Sequence, residues 1–455
     1  MKSVKLTLRY LLLLAPIVAI QACGPSSRIP HEPRTTDPSY MEYLFASGED
    51  SLAASLHERA ADALIRDKYL PLADLLGRIP YQRIYEDNSV QVILDGADKF
   101  TMLLRDIEAA RDYIHLEYYR FTDDEFGYQI RNALIRKAAE GVEVRLIIDR
   151  IANPSVPVSF YRMMEDYGAE IYVYHSLRHP GETLQRLNNL DHRKIVIIDG
   201  AVAYTGGMNL ARHYFSEWRD THVRLTGPVI AALQGIFLDH WLYFGCSLTH
   251  PLDWYFHPLR EDAVTDATAS NVPAQAVATG REWKHAGRIL QKSYEWCLDN
   301  ADTYFYMQNP YFAPPVDLLR ALTDAARRGV DVRIMLPEFS DIKMLEWINQ
   351  SYYRDLLEAG VRLFHRHDPF MHTKFFVTDD YITSIGTANT DARSLALNYE
   401  DNMYFYDENL AVWNRDTFLK EEEEHCVEVF LSDIETWSAG QKALRKMFRA
   451  IAPQM

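Results

Sequence analysis

The feature of the sequence that most restricts its fold is an internal repeat. A cluster of polar residues around His192 returns around His372, and subtraction of the two numbers (372 − 192) gives an offset of 180 residues. At the same offset Lys194 pairs with Lys374, Asp199 with Asp379, Gly206 with Gly386, Asn209 with Asn389, and Asp220 with Glu400. So many polar matches at one separation are not expected by chance. The sequence therefore predicts two similar halves that pack against each other.

The segments before each cluster predict the type of fold. The sequence KAAEGVEVRL at 137–146 aligns without gaps on AARRGVDVRI at 325–334. In both, an Ala-rich amphipathic stretch ends near a glycine and a β-branched stretch follows, which is typical of a helix that leads into a buried parallel strand. Further strands are expected at 114–119 and 303–312, and after Gly168 and Gly360. Alternating strands and helices in each half predict an α/β fold.

The remaining segments divide the chain. We expect a signal peptide at 1–22, a tether with a helical segment at 23–94, the first half at 95–261, a linker at 262–280 and the second half at 281–455. The helical segment is expected where Leu52, Leu56 and Ala60 share one face. The linker is expected because 262–280 is rich in Ala, Thr and Val, contains Pro273 and Gly280, and has little periodicity.

The N-terminus has the pattern of an export signal. Lys2, Lys5 and Arg9 precede an apolar stretch too short to span a bilayer, and the sequence Ile-Gln-Ala-Cys ends at Cys23. This resembles a bacterial lipoprotein signal and implies cleavage before Cys23 and lipidation of that residue. The alternative is a short signal anchor that is not cleaved. Both place the globular part in the cell envelope, outside the cytoplasm.

Composition narrows the possible partners and cofactors. The formal net charge is −16, which disfavours nucleic acid as a partner, because a polyanion would be repelled by the average surface. The 4 cysteines show no CxxC spacing, so neither a metal site nor a disulfide framework is expected. The acidic run 421–424 is interpreted as a solvated helix face. The segment 251–260 allows two interpretations, a patch at a membrane surface or ordinary core aromatics.

The residue types in the repeated cluster point to chemistry on phosphate. Alternate residues of a strand face the same side, so His192 and Lys194 are expected to project together, as are His372 and Lys374. A histidine nucleophile needs an acceptor on its second ring nitrogen, and Asp220 and Glu400 are candidates for that role. Lysine and asparagine side chains can neutralise and hydrogen-bond phosphate oxygens.

The duplicated His-x-Lys-x4-Asp motif, at 192–199 and 372–379, resembles that of the phospholipase D superfamily. The resemblance covers the chain from about residue 95 to the C-terminus. Further segments, among them HRKIVIIDG, GGMN, WRDTHVRLTGP, NPYFAP and GTANTDARSLALNYEDN, are similar to the bacterial cardiolipin synthase branch. The resemblance implies two α/β/α sandwich halves with the active site at their interface.

The resemblance also implies a reaction that needs no metal or other cofactor. One histidine attacks phosphorus and forms a phosphohistidine, and the other protonates the leaving alcohol and then deprotonates the acceptor. By similarity His192 is the nucleophile and His372 the general acid and base, although the symmetry allows the reverse. The phosphate would be bound by four side chains, Lys194, Lys374, Asn209 and Asn389. Asp199 and Asp379 belong to the motif and are expected to brace their strands.

The expected activity is phosphatidyl transfer that makes cardiolipin from two phosphatidylglycerols. The alternatives are a phospholipase D or nuclease that uses water as acceptor, and a lipid-binding scaffold with a vestigial site. Members of the branch usually begin with two membrane-spanning helices, whereas this chain has only the lipoprotein-like signal, so membrane contact is expected through the anchor together with surface contacts. The sequence gives no indication of the oligomeric state.

Overall fold

The computed structural model describes residues 63–77, 80–175, 189–256, 267–280 and 288–452. The expected signal peptide, Cys23 and the helical face with Leu52, Leu56 and Ala60 lie outside the described residues. Within them, the two halves predicted from the repeat are both α/β structures with the same order of elements.

The first half alternates helices with the strands of one sheet. Helix α1 (Ala63–Leu76) precedes it in the chain but packs in the core of the second half. Its own helices are α2 (Gly96–Ala109), α3 (Glu125–Ala139), α4 (Val158–Glu165), α5 (Arg212–Ser216) and α6 (Ile230–Tyr243). Its strands are β1 (Tyr85–Ile93), β2 (Tyr113–Tyr118), β3 (Glu143–Asp149), β4 (Glu170–Tyr174), β5 (Lys194–Ile198), β6 (Val202–Gly206) and β7 (His222–Thr226), and 3-10 turns lie at Pro80–Gln82 and Leu252–Tyr255.

The second half repeats this order, with two short strands and one further helix inserted, and adds elements at its C-terminal end. Its strands are β8 (Ala269–Thr279), β9 (Tyr304–Gln308), β10 (Phe312–Ala313), β11 (Asp331–Pro337), β12 (Arg362–Arg366), β13 (Phe375–Thr378), β14 (Ile382–Gly386), β15 (Thr390–Asp391), β16 (Glu400–Phe405) and β17 (Cys426–Val429). Its helices are α7 (Ile289–Asn300), α8 (Val316–Arg327), α9 (Lys343–Gln350), α10 (Tyr353–Glu358), α11 (Ala392–Ala396), α12 (Glu408–His425), α13 (Leu431–Glu435) and α14 (Ala439–Ile451).

One sheet runs through both halves. Its order is β17-β12-β11-β9-β13-β14-β16-β8-β1-β7-β6-β5-β2-β3-β4, so the halves are mirrored in strand order about the antiparallel pair β1 and β8. β2, β3 and β4 are parallel, as are β9, β11 and β12, which confirms the predicted alternation of strands and helices. Gly141 and Gly329, which end α3 and α8, have φ of +93° and +99°, a conformation that favours glycine over residues with a Cβ.

The predicted linker at 262–280 is wrong for most of its length. Residues 269–279 form β8, which pairs with β16 on one side and β1 on the other. Its C-terminal part is buried, and small Ala, Val and Thr side chains allow helices to pack on both faces there. The expected boundary at residue 95 also falls too late, because β1 is a full member of the sheet.

Helices cover both faces of the sheet in each half. Helix α6 packs on one face of the first half, in a core that also contains residues of the second half such as Phe375 and Met403. The opposite faces are covered separately, by helices α2 to α4 in the first half and by helices including α7 and α8 in the second. Each half is therefore an α/β/α sandwich, and the two share a core.

The acidic run 421–424 is not the solvated helix face that the sequence predicted. Glu421 on α12 is 9% exposed, its carboxylate pairs with Arg219 of the first half and Arg366 of the second, and Gln308 donates to it. Glu422 forms an ion pair with Arg333 at 3.0 Å. Glu423 and Glu424 face solvent. The first two residues of the run are therefore in ion pairs, and that of Glu421 with Arg219 joins the two halves.

Two further expectations concern surfaces and thiols. In the segment 251–260, Tyr255 is fully buried and packs with Trp254 against the shared core, which favours core aromatics over a surface patch; residues 257–260 lie outside the described residues. Cys246, Cys297 and Cys426 are free thiols. Among the described residues, we find no helix with the length and apolar character that crossing a membrane requires.

The buried position of Glu421 gives a prediction about stability. Glu421→Ala leaves Arg219 and Arg366 without their shared carboxylate, and removal of one partner of a buried ion pair costs about 3 kcal/mol of unfolding free energy. Urea denaturation followed by circular dichroism measures this loss. Glu423→Ala, two residues away on the exposed face, is the matched control and should change stability by less than about 0.5 kcal/mol. Equal stability of the two variants would contradict the network.

Candidate active site

The two repeated motifs meet where the halves contact each other. The backbone N–H of His192 donates to the carbonyl of Tyr399 at 2.9 Å, and that of His372 donates to the carbonyl of Arg219 at 2.7 Å. Isolated bridges join Asp191 to Tyr399 and Arg219 to Met371. Both bridges therefore run from one half to the other, at equivalent positions of the repeat.

Each histidine is oriented by an acid from the opposite half. Nδ1 of His192 lies 2.8 Å from Oε2 of Glu400, and Nδ1 of His372 lies 2.8 Å from Oδ2 of Asp220. The carboxylates are themselves fixed, since Thr387 donates to Glu400 at 2.6 Å and the N–H of Thr221 donates to Asp220 at 2.7 Å. An acceptor at Nδ1 holds the proton there and leaves Nε2 as the nitrogen available for chemistry.

The two lysines lie beside the histidines at the N-terminal ends of strands β5 and β13. Nζ of Lys194 donates to the carbonyl of His192 at 2.7 Å, and Nζ of Lys374 donates to that of His372 at 2.5 Å. Lys374 also lies 2.8 Å from Nδ1 and 3.1 Å from Nε2 of His372. His192 and His372 precede their strands instead of lying within them, but each still shares its side of the sheet with its lysine.

Burial dominates the electrostatics of the site, because both histidines and both lysines are at most 7% exposed. Burial lowers the pKa of Lys194 to about 8 and that of Lys374 to about 7. Burial also lowers the pKa of His192, which Glu400 partly offsets, while burial and Lys374 lower the pKa of His372 further. A bound phosphate anion would favour the protonated forms of these groups, as expected of an anion site.

Two carboxylates differ in their response to burial. Burial raises the pKa of Asp220 to about 6, although Lys374 opposes the shift. Burial also raises the pKa of Glu400, but His192 and Lys194 outweigh it and hold that pKa below its ordinary value. His192 thus has the more strongly ionised partner.

The aspartates of the two motifs accept hydrogen bonds from backbone N–H groups and do not contact the histidines. Asp199 accepts hydrogen bonds from the N–H groups of Arg111, Asp112 and Tyr113, at the start of β2. Asp379 does the same for residues 302–304 at the start of β9. Both have positive φ, 53° and 51°, in the turns that follow β5 and β13. These contacts brace neighbouring strands, as expected from the sequence.

The two asparagines are buried near the histidines but differ in their contacts. Oδ1 of Asn209 accepts from the N–H of Arg120 at 3.1 Å, and its side chain also hydrogen-bonds Tyr214. Oδ1 of Asn389 is buried and has no hydrogen-bond partner among the described residues. A role for either in binding phosphate stays a prediction.

Aromatic rings around the histidines were not identified from the sequence. The ring of Tyr119 lies 4.8 Å from that of His192, while Tyr214 and Trp218 lie 5.3 and 5.4 Å from His372. Tyr119 follows β2 and Tyr214 lies in α5. Their only sequence signal was their closeness to predicted strand ends and to the motif, which many core aromatics share. They give the site apolar walls.

One group of side chains behind His192 could hold a metal ion. Glu117, Asp191 and His240 are fully buried, and their ligand atoms lie within 4.8 Å of one another. Two carboxylates and an imidazole suit Zn²⁺ or Mn²⁺. However, Glu117 already lies 2.6 Å from Nδ1 of His240 and 3.3 Å from Arg193, and burial raises the pKa of Asp191 well above its ordinary value. Protein groups therefore already balance much of this charge.

Comparisons with known proteins agree with this architecture. Residues 103–241 and 295–421 match the family model described as cardiolipin synthase, PLD-like domain. The major cardiolipin synthase of Bacillus subtilis is 39% identical over 334 residues, 72% of this chain and 67% of the relative. The cardiolipin synthase of Listeria innocua is 35% identical over 380 residues, 79% of this chain and 76% of the relative.

A solved structure shows the same fold. Phosphatidylserine synthase of Haemophilus influenzae superposes with a TM-score of 0.62 at 14% sequence identity, over 85% of this chain and 98% of that one. The match spans both halves, which confirms the predicted pair of α/β halves.

The lowered pKa values predict a bell-shaped pH dependence of kcat/KM for phosphodiester turnover. The acid limb should lie below pH 6.5, because the attacking histidine stays neutral until its lowered pKa is reached, and the alkaline limb should lie near pH 7 to 8, where the lysines lose their protons. Glu400→Gln removes a charge that raises the pKa of His192, so the acid limb should move to lower pH and the rate should fall by about a hundredfold or more. A profile flat from about pH 5 to 9 would contradict histidine acid and base chemistry.

Proposed function

Because the chain belongs to the family of phospholipase D-like cardiolipin synthases, we propose that it is a phosphatidyltransferase that makes cardiolipin and glycerol from two phosphatidylglycerols. The observation that carries the proposal is the crosswise pairing of His192 with Glu400 and of His372 with Asp220. It supplies two histidines of fixed tautomer in one pocket, as a double displacement at phosphorus requires.

In the first displacement, Nε2 of His192 attacks the phosphorus of one phosphatidylglycerol. The bound phosphate anion favours the protonated form of His372. The bond from phosphorus to the glycerol oxygen breaks, and His372 gives its proton to that oxygen. In the second, His372 takes the proton from the glycerol hydroxyl of another phosphatidylglycerol, whose oxygen attacks phosphorus and releases His192. Glu400 stabilises the positive charge that His192 acquires.

The lysine contacts support His192 as the nucleophile. Lys194 donates to the backbone of His192 and leaves its Nε2 without a competing donor, whereas Lys374 lies 3.1 Å from Nε2 of His372. With its pKa lowered to about 7, Lys374 can supply a proton to His372. Trapping the intermediate at low pH and mapping the phosphorylated histidine by mass spectrometry tests this assignment.

The low solvent exposure of the site supports transfer to an alcohol over hydrolysis. His192 and His372 are 7% and 4% exposed, and the rings of Tyr119, Tyr214 and Trp218 border them. A phosphohistidine in such a pocket meets little bulk water, so an alcohol that binds there has the advantage of proximity.

We propose that the protein works at a membrane surface, held there by a lipid on Cys23. Exposed apolar side chains support contact with lipid near the site. Ile151 and Val158 are 42% and 52% exposed after β3, and Phe339 and Ile342 are 62% and 40% exposed after β11. β3 is parallel to β2, and β11 is parallel to β9. These exposed residues therefore follow the same carboxyl ends of the strands as Tyr119 and Tyr311, whose rings contact the histidines.

The reaction products give a direct test. Purified protein incubated with phosphatidylglycerol vesicles in chelator should release cardiolipin and glycerol in equal amounts, and His192→Ala and His372→Ala should each abolish both. Thin-layer chromatography and mass spectrometry measure the products. Phosphatidic acid and glycerol without cardiolipin would identify a hydrolase, and near-normal turnover by either variant would exclude the paired site.

The lipid anchor makes a separate prediction. Cys23→Ser should leave the signal uncut or release the protein from membranes, because lipidation at that sulfur is lost. Fractionation and mass spectrometry of the native N-terminus measure this, with Cys246→Ser as the control for loss of a thiol. An intact, unmodified Met1 on the native protein would refute the anchor.

A further inference from the structure

Cardiolipin synthesis places two phosphodiesters in one pocket. The donor carries the phosphate that is attacked, and the acceptor carries its own phosphate three carbons away from the attacking hydroxyl. That second negative charge must enter a largely dry site, where an unpaired charge is costly. Hydrolysis, or transfer to free glycerol, does not impose this requirement.

The cations already described serve the first phosphate. Lys194 and Lys374 are bonded to the backbone of their own motifs and lie beside the two histidines. A site that also accepts a second phosphodiester needs a further cation, near both histidines and not neutralised by a protein carboxylate.

Arg120 is linked to residues that contact each of the two histidines. Its N–H donates to Oδ1 of Asn209, and its carbonyl accepts from the N–H of Leu210 at 3.0 Å, so the backbone is fixed at the end of β2. The preceding residue, Tyr119, contacts His192 through its ring. Through Asn209, Arg120 is also linked to Tyr214, whose ring lies against His372.

The guanidinium of Arg120 is not neutralised by the protein. The residue is half-buried, its Nε is buried without a hydrogen-bond partner, and no ion pair of Arg120 is found within the described ranges. Three other arginines of the first half differ, since Arg193 pairs with Glu117, Arg219 with Glu421 and Arg224 with Asp106. Burial and the charge of Arg120 lower the pKa of neighbouring His213 to about 4.

At the equivalent register of the second half, a tyrosine takes the place of this cation. Glu117 pairs with Ile195, and Gln308 pairs with Phe375 at the equivalent register, so Tyr311 stands where the first half has Arg120. The hydroxyl of Tyr311 donates to Asp341 at 2.8 Å. At this position the two halves therefore differ, since the first half carries a cation and the second half a tyrosine that is hydrogen-bonded to a carboxylate.

We infer that Arg120 binds the phosphodiester of the acceptor phospholipid, the phosphate that is not attacked, and so selects an anionic lipid alcohol over a neutral one. A guanidinium can bind two phosphate oxygens at once, which fixes the acceptor as well as neutralising it. Arg120 is a specificity-determining residue in this role, and the inference rests on the proposed synthase function.

The test compares two acceptors of the same phosphohistidine. Protein is incubated with vesicles of phosphatidylglycerol diluted in phosphatidylcholine, in a buffer that contains ¹³C-glycerol. Mass spectrometry then measures cardiolipin, made by transfer to the anionic lipid, and ¹³C-phosphatidylglycerol, made by transfer to the neutral alcohol. Arg120→Gln should lower the ratio of cardiolipin to ¹³C-phosphatidylglycerol about tenfold, the effect of losing a charged hydrogen bond, and Arg120→Lys should lower it less.

The matched control is Arg354→Gln, which removes an arginine with 49% side-chain exposure from an ion pair on α10. It should leave both rates and their ratio unchanged. A ratio that stays at the wild-type value in Arg120→Gln overturns the inference, whether the two rates fall together or stay intact. Wild-type protein that exchanges glycerol but makes no cardiolipin overturns the proposed function, and with it this role of Arg120.

Discussion

The exchange of carboxylates between the halves is the interaction on which the site depends. His192 is oriented by Glu400, and His372 by Asp220, so neither half contains a complete histidine and acid pair. The backbone bridges at Asp191 and Arg219 fix the same contact, because they hold the residues beside each acid against the opposite motif. A small shift of one half relative to the other would therefore disturb both histidines at once.

The contact between the halves also explains why so many charged side chains are buried at the site. Asp220, Glu400, Lys194 and Lys374 are almost completely excluded from solvent, and such charges are stable only with close partners. The Glu421 network with Arg219 and Arg366 extends the arrangement from the site to α12. Burial lowers the pKa of each lysine, so the site holds less positive charge near neutral pH than its composition suggests, and binding of an anion favours the protonated lysines.

The sequence was sufficient for the fold class and for the residues that meet in the site, because duplication at a constant offset is a strong signal. It could not indicate that Glu400 serves His192, since Asp220 is much nearer to His192 along the chain. β8 was missed because its small residues and Pro273 lack the alternation of a half-buried strand, and burial on both faces removes that alternation. Glu421 looked solvated because its partners, Arg219 and Arg366, are distant in sequence.

The central position of β1 and β8 has a consequence for the synthesis of the chain. β1 and β7 can pair once the first half has left the ribosome, but the partner on the other edge of β1 is β8, which follows later. Until then the nascent protein presents an open strand edge, a template for pairing with another chain. The pairing of β1 with β8 joins the halves of the folded protein, and the unpaired edge of β1 is therefore the site at which the nascent chain is most exposed to aggregation.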